Sequence, residues 1–188
     1  MHSETKTKIL DLAAHLFQAK GFNAFSYHDI ALSLGIKNAA VHYHYPTKES
    51  LGLDIIRRAR TRLAQLVKQS ETLKESPWAQ LDLFLNVYRN YLAHDQQVCL
   101  LGSVGTDYFT IPESMQQETR LLMEENLDWL SAILQEGRQN GHFSFRGEAR
   151  TKAMTIATSM AGALQMARIT GNDHFQAIEK QLMIDITP

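Results

Sequence analysis

Apolar side chains in this chain recur every three or four residues almost throughout, and no stretch alternates with a period of two. That spacing lines up side chains on one face of a helix and not on one face of a strand. The expected fold is therefore all-α. Ile9, Leu12, Ala13, Leu16 and Phe17 mark a first helix, closed at Lys20-Gly21. Ser26 and Asp29 form an S-x-x-D pair that opens a short second helix through Leu34, and Gly35 ends it. A third short helix runs from about Asn38 to His44 and stops at Pro46. Thr47 can cap a long fourth helix with Leu51, Ile55, Ala59, Leu63 and Leu66 on one side.

Residues 69–76 are polar and read as a connection, after which Ser76-Pro77 starts a fifth helix. Residues 95–111 are irregular, with Gly102 and Gly105 and room for one short helix. Pro112 opens a long helix with Met115, Leu122, Met123, Leu127, Leu130, Ile133 and Leu134 inward, ending near Gly137–Gly141. Two last helices are expected over about 148–170 and 173–186.

A length of 188 residues suits one domain, or a small domain joined to a larger one. It is enough to bury a core without metals or disulfides. The single cysteine, Cys99, excludes an internal disulfide and any multi-cysteine metal site. The longest apolar candidate for a membrane span, residues 153–167, is interrupted by Thr155, Thr158, Ser159 and Gln165. MHSETKTKIL has no apolar core of a signal peptide, so a cytoplasmic location away from membranes is expected. The net charge of −1 divides unevenly. Residues 1–68 hold ten Lys/Arg against five Asp/Glu, and residues 69–188 hold nine against fifteen. A basic first third suits contact with a polyanion, although solvated basic faces are common.

Residues 26–44 carry the chemistry. A helix-turn-helix needs a small residue where its helices cross, a residue tolerant of positive φ in the turn, and an apolar residue that packs the second helix back. Ala31, Gly35 and Val41 meet these needs in that order. The second helix then shows Lys37, Asn38, Ala39, Ala40, His42 and Tyr43 outward, mixing donors with small residues that admit a DNA groove. A helical hairpin packed within a core is the plainer alternative, but helices this short bury little. His42 and His44 are two apart, so they point to different faces and share no metal ion.

The segment FSYHDIALSLGIKNAAVHYHYPTKESL resembles the DNA-binding part of the TetR family of transcriptional regulators. It is similar in particular to the variant reading H-Y-H-[FY]-P-[ST]-K, and the resemblance spans about residues 5–55. It implies a three-helix DNA-binding domain at 1–48, joined by the fourth helix to a ligand-binding and dimerisation body at 49–188. By the same resemblance Ser26 caps the second helix, whose N-terminal end can meet a phosphate. Lys37, Asn38, Ala39 and Ala40 begin the recognition helix, and Lys48 is a point charge for a flanking phosphate. The common family form has tyrosine where this chain has His42, so the phosphate-contacting role is open between His42 and Tyr43. His44 and Tyr45 are assigned to packing. The run Arg57, Arg58, Arg60 and Arg62 reads as a solvated face that can also steer toward DNA.

The body supplies Phe84, Tyr88, Tyr91, Tyr108, Phe109, Met123, Trp129 and Met160, which either fill a core or partly line a pocket for an unknown small molecule. Cys99 joins that candidate set. Its apolar flanks, and the lack of Arg or Lys over residues 90–119, favour a buried inert thiol over a sensor of oxidants or electrophiles. Met154, Ala157, Ala161, Leu164 and Arg168, with Phe175, Ile178 and Leu182, follow helical spacing and suggest a four-helix dimer face, or internal packing alone. A two-fold pair would read two half-sites of a pseudo-palindromic operator in double-stranded DNA.

The leading expectation is a ligand-responsive repressor, released from DNA by a small molecule or by thiol modification, with no cofactor and no metal. An adaptor without DNA contact is the alternative. An all-α enzyme is a weaker one, since no G-x-S-x-G, G-x-x-x-x-G-K-[ST] or H-E-x-x-H occurs.

Overall fold

A computed structural model describes residues 2–73, 76–93 and 97–188. Its regular elements are α1 (His2–Lys20), α2 (Tyr27–Leu34), α3 (Asn38–His44), α4 (Lys48–Glu71), α5 (Pro77–Ala93), α6 (Leu100–Asp107), α7 (Glu113–Gln139), α8 (Ala149–Thr170) and α9 (Asp173–Ile184). No strand occurs among the described residues. The all-α expectation holds. α4 runs on into the stretch expected as a connection, of which residues 74 and 75 lie outside the described residues. α6 is the short helix of the stretch 95–111, where residues 95 and 96 lie outside them.

The chain forms two compact units, one of residues up to Thr61 with Leu100–Leu122, the other of Arg62–Cys99 with Met123–Pro188. The expected boundary after residue 48 follows the end of the motif, whereas the first unit also takes in α6 and the beginnings of α4 and α7.

In the first unit α1 buries Ile9, Ala13, Leu16 and Phe17 against Ile30, Ala31, Val41, Leu51, Ile55 and Ile56. Each such Ile, Leu, Val or Phe side chain contributes about 1.5–3 kcal/mol of burial. The rings of Phe17 and Phe22 lie 5.3 Å apart, and Phe22 meets Phe25 edge-on at 6.0 Å. Three of the four arginines of α4 pair with carboxylates. Arg58 holds Asp11, while Arg57 and Arg60 share Glu118. Burial raises the Glu118 pKa, but the two guanidinium groups outweigh it and hold it below the usual carboxylate value.

In the second unit α8 packs on α9 and on α5. Ala153, Ala157, Ala163 and Ala167 are buried along α8, and small side chains there let the neighbouring helices approach closely. This corrects the expected dimer face. Ala157, Leu164, Phe175 and Leu182 are buried within the chain, and Ala161 and Ile178 are half-buried. Of that set only Met154 and Arg168 are exposed. On α7, Leu127, Leu130, Ile133 and Leu134 point inward as expected, but Met123 is 40% exposed.

Candidate nucleic-acid interface

The N-terminus of α2 is closed by a capping box. The Ser26 amide donates to Asp29 Oδ2 at 2.7 Å, and the Asp29 amide donates back to Ser26 Oγ at 3.3 Å. Ser26 Oγ also donates to Asp29 Oδ2, and these bonds hold the Asp29 carboxyl below its ordinary value. A carboxylate therefore already sits at this helix end. The box fixes where α2 starts and makes Ser26 a capping residue before anything else.

Gly35 ends α2 at φ +64° and ψ +31°, and the Ile36 amide reaches back to the Ala31 carbonyl at 3.0 Å. No atom stands within 4 Å of where a Cβ would be, so the requirement for glycine here is conformational. A β-branched residue in this left-handed conformation should cost about 1–3 kcal/mol. Gly35→Val is expected to lose DNA binding while the second unit stays folded, as hydrogen exchange would show. Intact binding would mean that the turn tolerates the strain.

α3 is anchored by Val41, which is fully buried, and by Tyr27, whose ring meets His42 edge-on at 4.7 Å. Tyr27 Oη donates to the Tyr45 carbonyl at 2.8 Å, and burial pushes its phenol up to about 12, so it stays a neutral donor. With that face committed, Lys37, Asn38, Ala39, His42 and Tyr43 are exposed and Ala40 is half-exposed. Tyr43 is 67% exposed. His44 is half-buried and meets the Tyr43 ring at 5.3 Å, and Tyr45 is buried. The structure thus brings together six of the eight residues expected at the DNA face on one short helix and its N-cap.

Lys48 is placed differently from the expectation. Its Nζ turns back and donates to the carbonyls of Phe22, at 2.5 Å, and Phe25. It also lies over both rings, at 4.7 Å and 4.3 Å from their centroids. Burial lowers its pKa, with Asp107 and Asp29 partly restoring it. Two carbonyls and two ring faces occupy the ammonium, so Lys48 closes the turn between α1 and α2 and does not stand out as a point charge for phosphate.

The same turn receives a contact that the sequence reading missed. The Asn23 amide and side chain both donate to Asp107, each at 3.2 Å, and Asn23 Nδ2 reaches Thr110 Oγ1 at 2.7 Å. Residues this far apart in sequence carry no periodic signal of their pairing. Leu32, exposed on α2, is another feature of the motif that spacing alone does not single out.

In the second unit the Phe84 ring lies 5.4 Å from Trp129 and 5.6 Å from Tyr88. Tyr88 is deeply buried near Cys99, Tyr91 and Asn126, and burial raises its phenol pKa strongly. Trp129 Nε1 is buried with no hydrogen-bond partner among the described residues. Met160 is fully buried on α8. Tyr108 lies in the first unit, where its hydroxyl accepts from Arg120 at 2.6 Å and its ring meets Phe109. Tyr108 and the exposed Met123 therefore leave the aromatic set expected to surround a ligand.

Two family models match the chain. Residues 9–55 match the model described as bacterial regulatory proteins, tetR family, and residues 77–180 match the tetracyclin repressor-like C-terminal domain. The chain belongs to the TetR family. It is a transcriptional regulator of that family, whose members bind DNA operators, act as dimers and respond to small molecules. It is similar to the HTH-type transcriptional repressor KstR2 of Mycolicibacterium smegmatis, 28% identical over 73% of this chain and 67% of that protein. Over 46 residues it is also similar to IcaR, the negative regulator of the biofilm operon icaADBC in Staphylococcus epidermidis. There the identity is 44% over 24% of this chain and 25% of IcaR. The fold of a TetR-family regulator from Agrobacterium tumefaciens superposes with a TM-score of 0.92 and 27% identity, covering 100% of both chains.

Proposed function

We propose that this TetR-family regulator is a repressor that binds a pseudo-palindromic operator as a homodimer and leaves it when a small molecule binds the body. Residues 1–48 read DNA, residues 49–188 hold the ligand and the dimer face, and the protein works in the cytoplasm. The observation that carries the reading is the outward array on α3 over a buried Val41. The H-Y-H-[FY]-P-[ST]-K segment places His42 and Tyr43 in that array. Lys37, Asn38, Ala39 and Ala40 meet base edges, His42 and Tyr43 reach the backbone or thymine methyls, and Ser26 sets the start of α2. Repression is supported by the likeness to KstR2 and, over 46 residues, to IcaR.

For the dimer we assign the exposed side of α8, where Met154, Gly162, Met166 and Ile169 share a stripe, with Arg168 at its edge. Ile169 is 86% exposed, an unusual place for a large apolar side chain in a lone protomer. For the ligand we assign Phe84, Tyr88, Tyr91, Cys99, Trp129 and Met160. The unpartnered Trp129 Nε1 would donate to an acceptor on the ligand, because a buried donor left alone costs about 1–3 kcal/mol.

Asn38 and Lys37 differ in charge, so their variants separate base reading from long-range attraction. Asn38→Ala is expected to reduce discrimination between operator and random DNA by about 1–3 kcal/mol. Lys37→Ala should also reduce discrimination and, because it removes a positive charge as well, flatten the salt dependence. Equal losses on both DNAs for Asn38→Ala would remove it from base reading.

A further inference from the structure

Three elements meet at the turn that leads from α1 into the helix-turn-helix. Lys48, at the start of α4, holds the carbonyls of residues 22 and 25. From the end of α6, Asp107 accepts the Asn23 amide on Oδ2 and the Asn23 side chain on Oδ1. Thr110 accepts a third bond from Asn23 and is itself held, donating through Oγ1 and its amide to the Asp107 carbonyl at 2.8 Å each. One turn earlier on α6, the buried Ser103 donates to the Phe17 carbonyl in α1 at 2.5 Å. The fit is close. Gly21 adopts φ +91°, and a Cβ there would stand 2.8 Å from Asp107 Oδ2.

The core of the three-helix head is made by Phe17, Ile30, Ala31 and Val41, and the bonds from Asn23 to Asp107 and Thr110 lie outside it. They fix its attitude on α6 instead. We infer that Asp107 is a positioning residue for DNA reading: through Asn23 it clamps the α1–α2 turn to the end of α6, and the clamped head is the one that fits the operator. The inference rests on the proposal that α3 reads DNA and adds the device that aims it. With the clamp open, the head samples other attitudes and is competent only part of the time. Apparent affinity then falls by the competent fraction, once for each head. A head competent for about a third of the time in each protomer weakens operator binding about tenfold. Binding to random DNA, which needs charge but not aim, stays as it was.

The test uses the full-length protein and four variants: Asp107→Ala, Asn23→Ala, the double variant and Asp107→Asn. Operator DNA is taken from immediately upstream of the protein's own gene, with random DNA of equal length as the comparison. Asp107→Ala should weaken operator binding about tenfold, and Asn23→Ala, which keeps the backbone amide bond to Asp107, by a smaller factor, with random-DNA binding, salt slope and oligomeric state unchanged in both. The double variant should lose about as much as Asp107→Ala alone, because Asp107→Ala already removes both bonds between the two residues. Asp107→Asn keeps one carbonyl acceptor and should fall between. Hydrogen exchange should show the Asn23 amide losing protection while amides of the α1 core keep theirs. Unchanged or tighter operator binding, losses that multiply in the double variant, or an equal fall on random DNA with early unfolding would each overturn the inference. If the wild-type protein fails to distinguish operator from random DNA, the proposal of DNA reading falls instead, and the Asn23 amide still reports whether the clamp exists.

Discussion

Replacing Lys48 with methionine should destabilise the DNA-reading head by about 1–3 kcal/mol, because two backbone carbonyls lose a charged donor. Methionine keeps most of the stem that lies against Phe22 and Phe25, so the loss reports the ammonium and not the packing. Urea unfolding followed by hydrogen exchange in residues 9–55 should show the earlier transition. At low denaturant, the slope of log affinity against log salt should stay as in the wild type. A lysine that touched phosphate would give the reverse: unchanged stability, and a slope reduced by about 0.9 for the one lost contact. The two outcomes do not overlap, so one variant decides which role Lys48 has.

The second large effect concerns assembly. Ile169→Glu would set like charges near each other across a two-fold axis on the exposed side of α8. The variant should sediment as a monomer at concentrations where the wild type is a dimer, with unchanged helix content. Operator binding should drop by about 10²- to 10⁴-fold, because linking two heads makes the second binding event intramolecular. A monomer with undiminished operator affinity would mean that single heads read the site. A stable dimer would move the interface to another face.

The sequence was most informative where a local rule has one structural solution. Period-3.6 spacing admits only helices, so the class and most helix positions were legible from residues such as Ile9, Ala13 and Phe17. Ser26 with Asp29, and Gly35 after Leu34, are bounded by local hydrogen bonds and φ values, and the structure shows both as the pattern implied. The outward face of α3 was legible because Val41 alone must point inward on so short a helix.

Legibility ended where a side chain has two possible partners. Ala157, Leu164, Phe175 and Leu182 have the same spacing whether they meet a second copy or a neighbouring helix. Here α9 and α5 take the buried side of α8, and the stripe left outside is offset to Met154, Gly162, Met166 and Ile169. Lys48 has a stem long enough to reach outward or to fold back, and only the positions of the carbonyls at 22 and 25 decide. Tyr108 is aromatic like Phe84 and Trp129, but its place beside Arg120 follows from how α6 is joined to α7. The clamp of Asn23 by Asp107 is the extreme case, since nothing in either local sequence names the other.

A dimer whose α3 helices read DNA must prefer one sequence over others. The direct measurement is a salt series of binding by purified protein to DNA from immediately upstream of its own gene, beside random DNA of equal length. Two protomers should bind the upstream DNA tightly, with a steep loss of affinity as salt rises, and at least about 10³-fold more tightly than random DNA. Weak and equal binding to both, repeated in a genome-wide selection of fragments, would contradict sequence reading by α3.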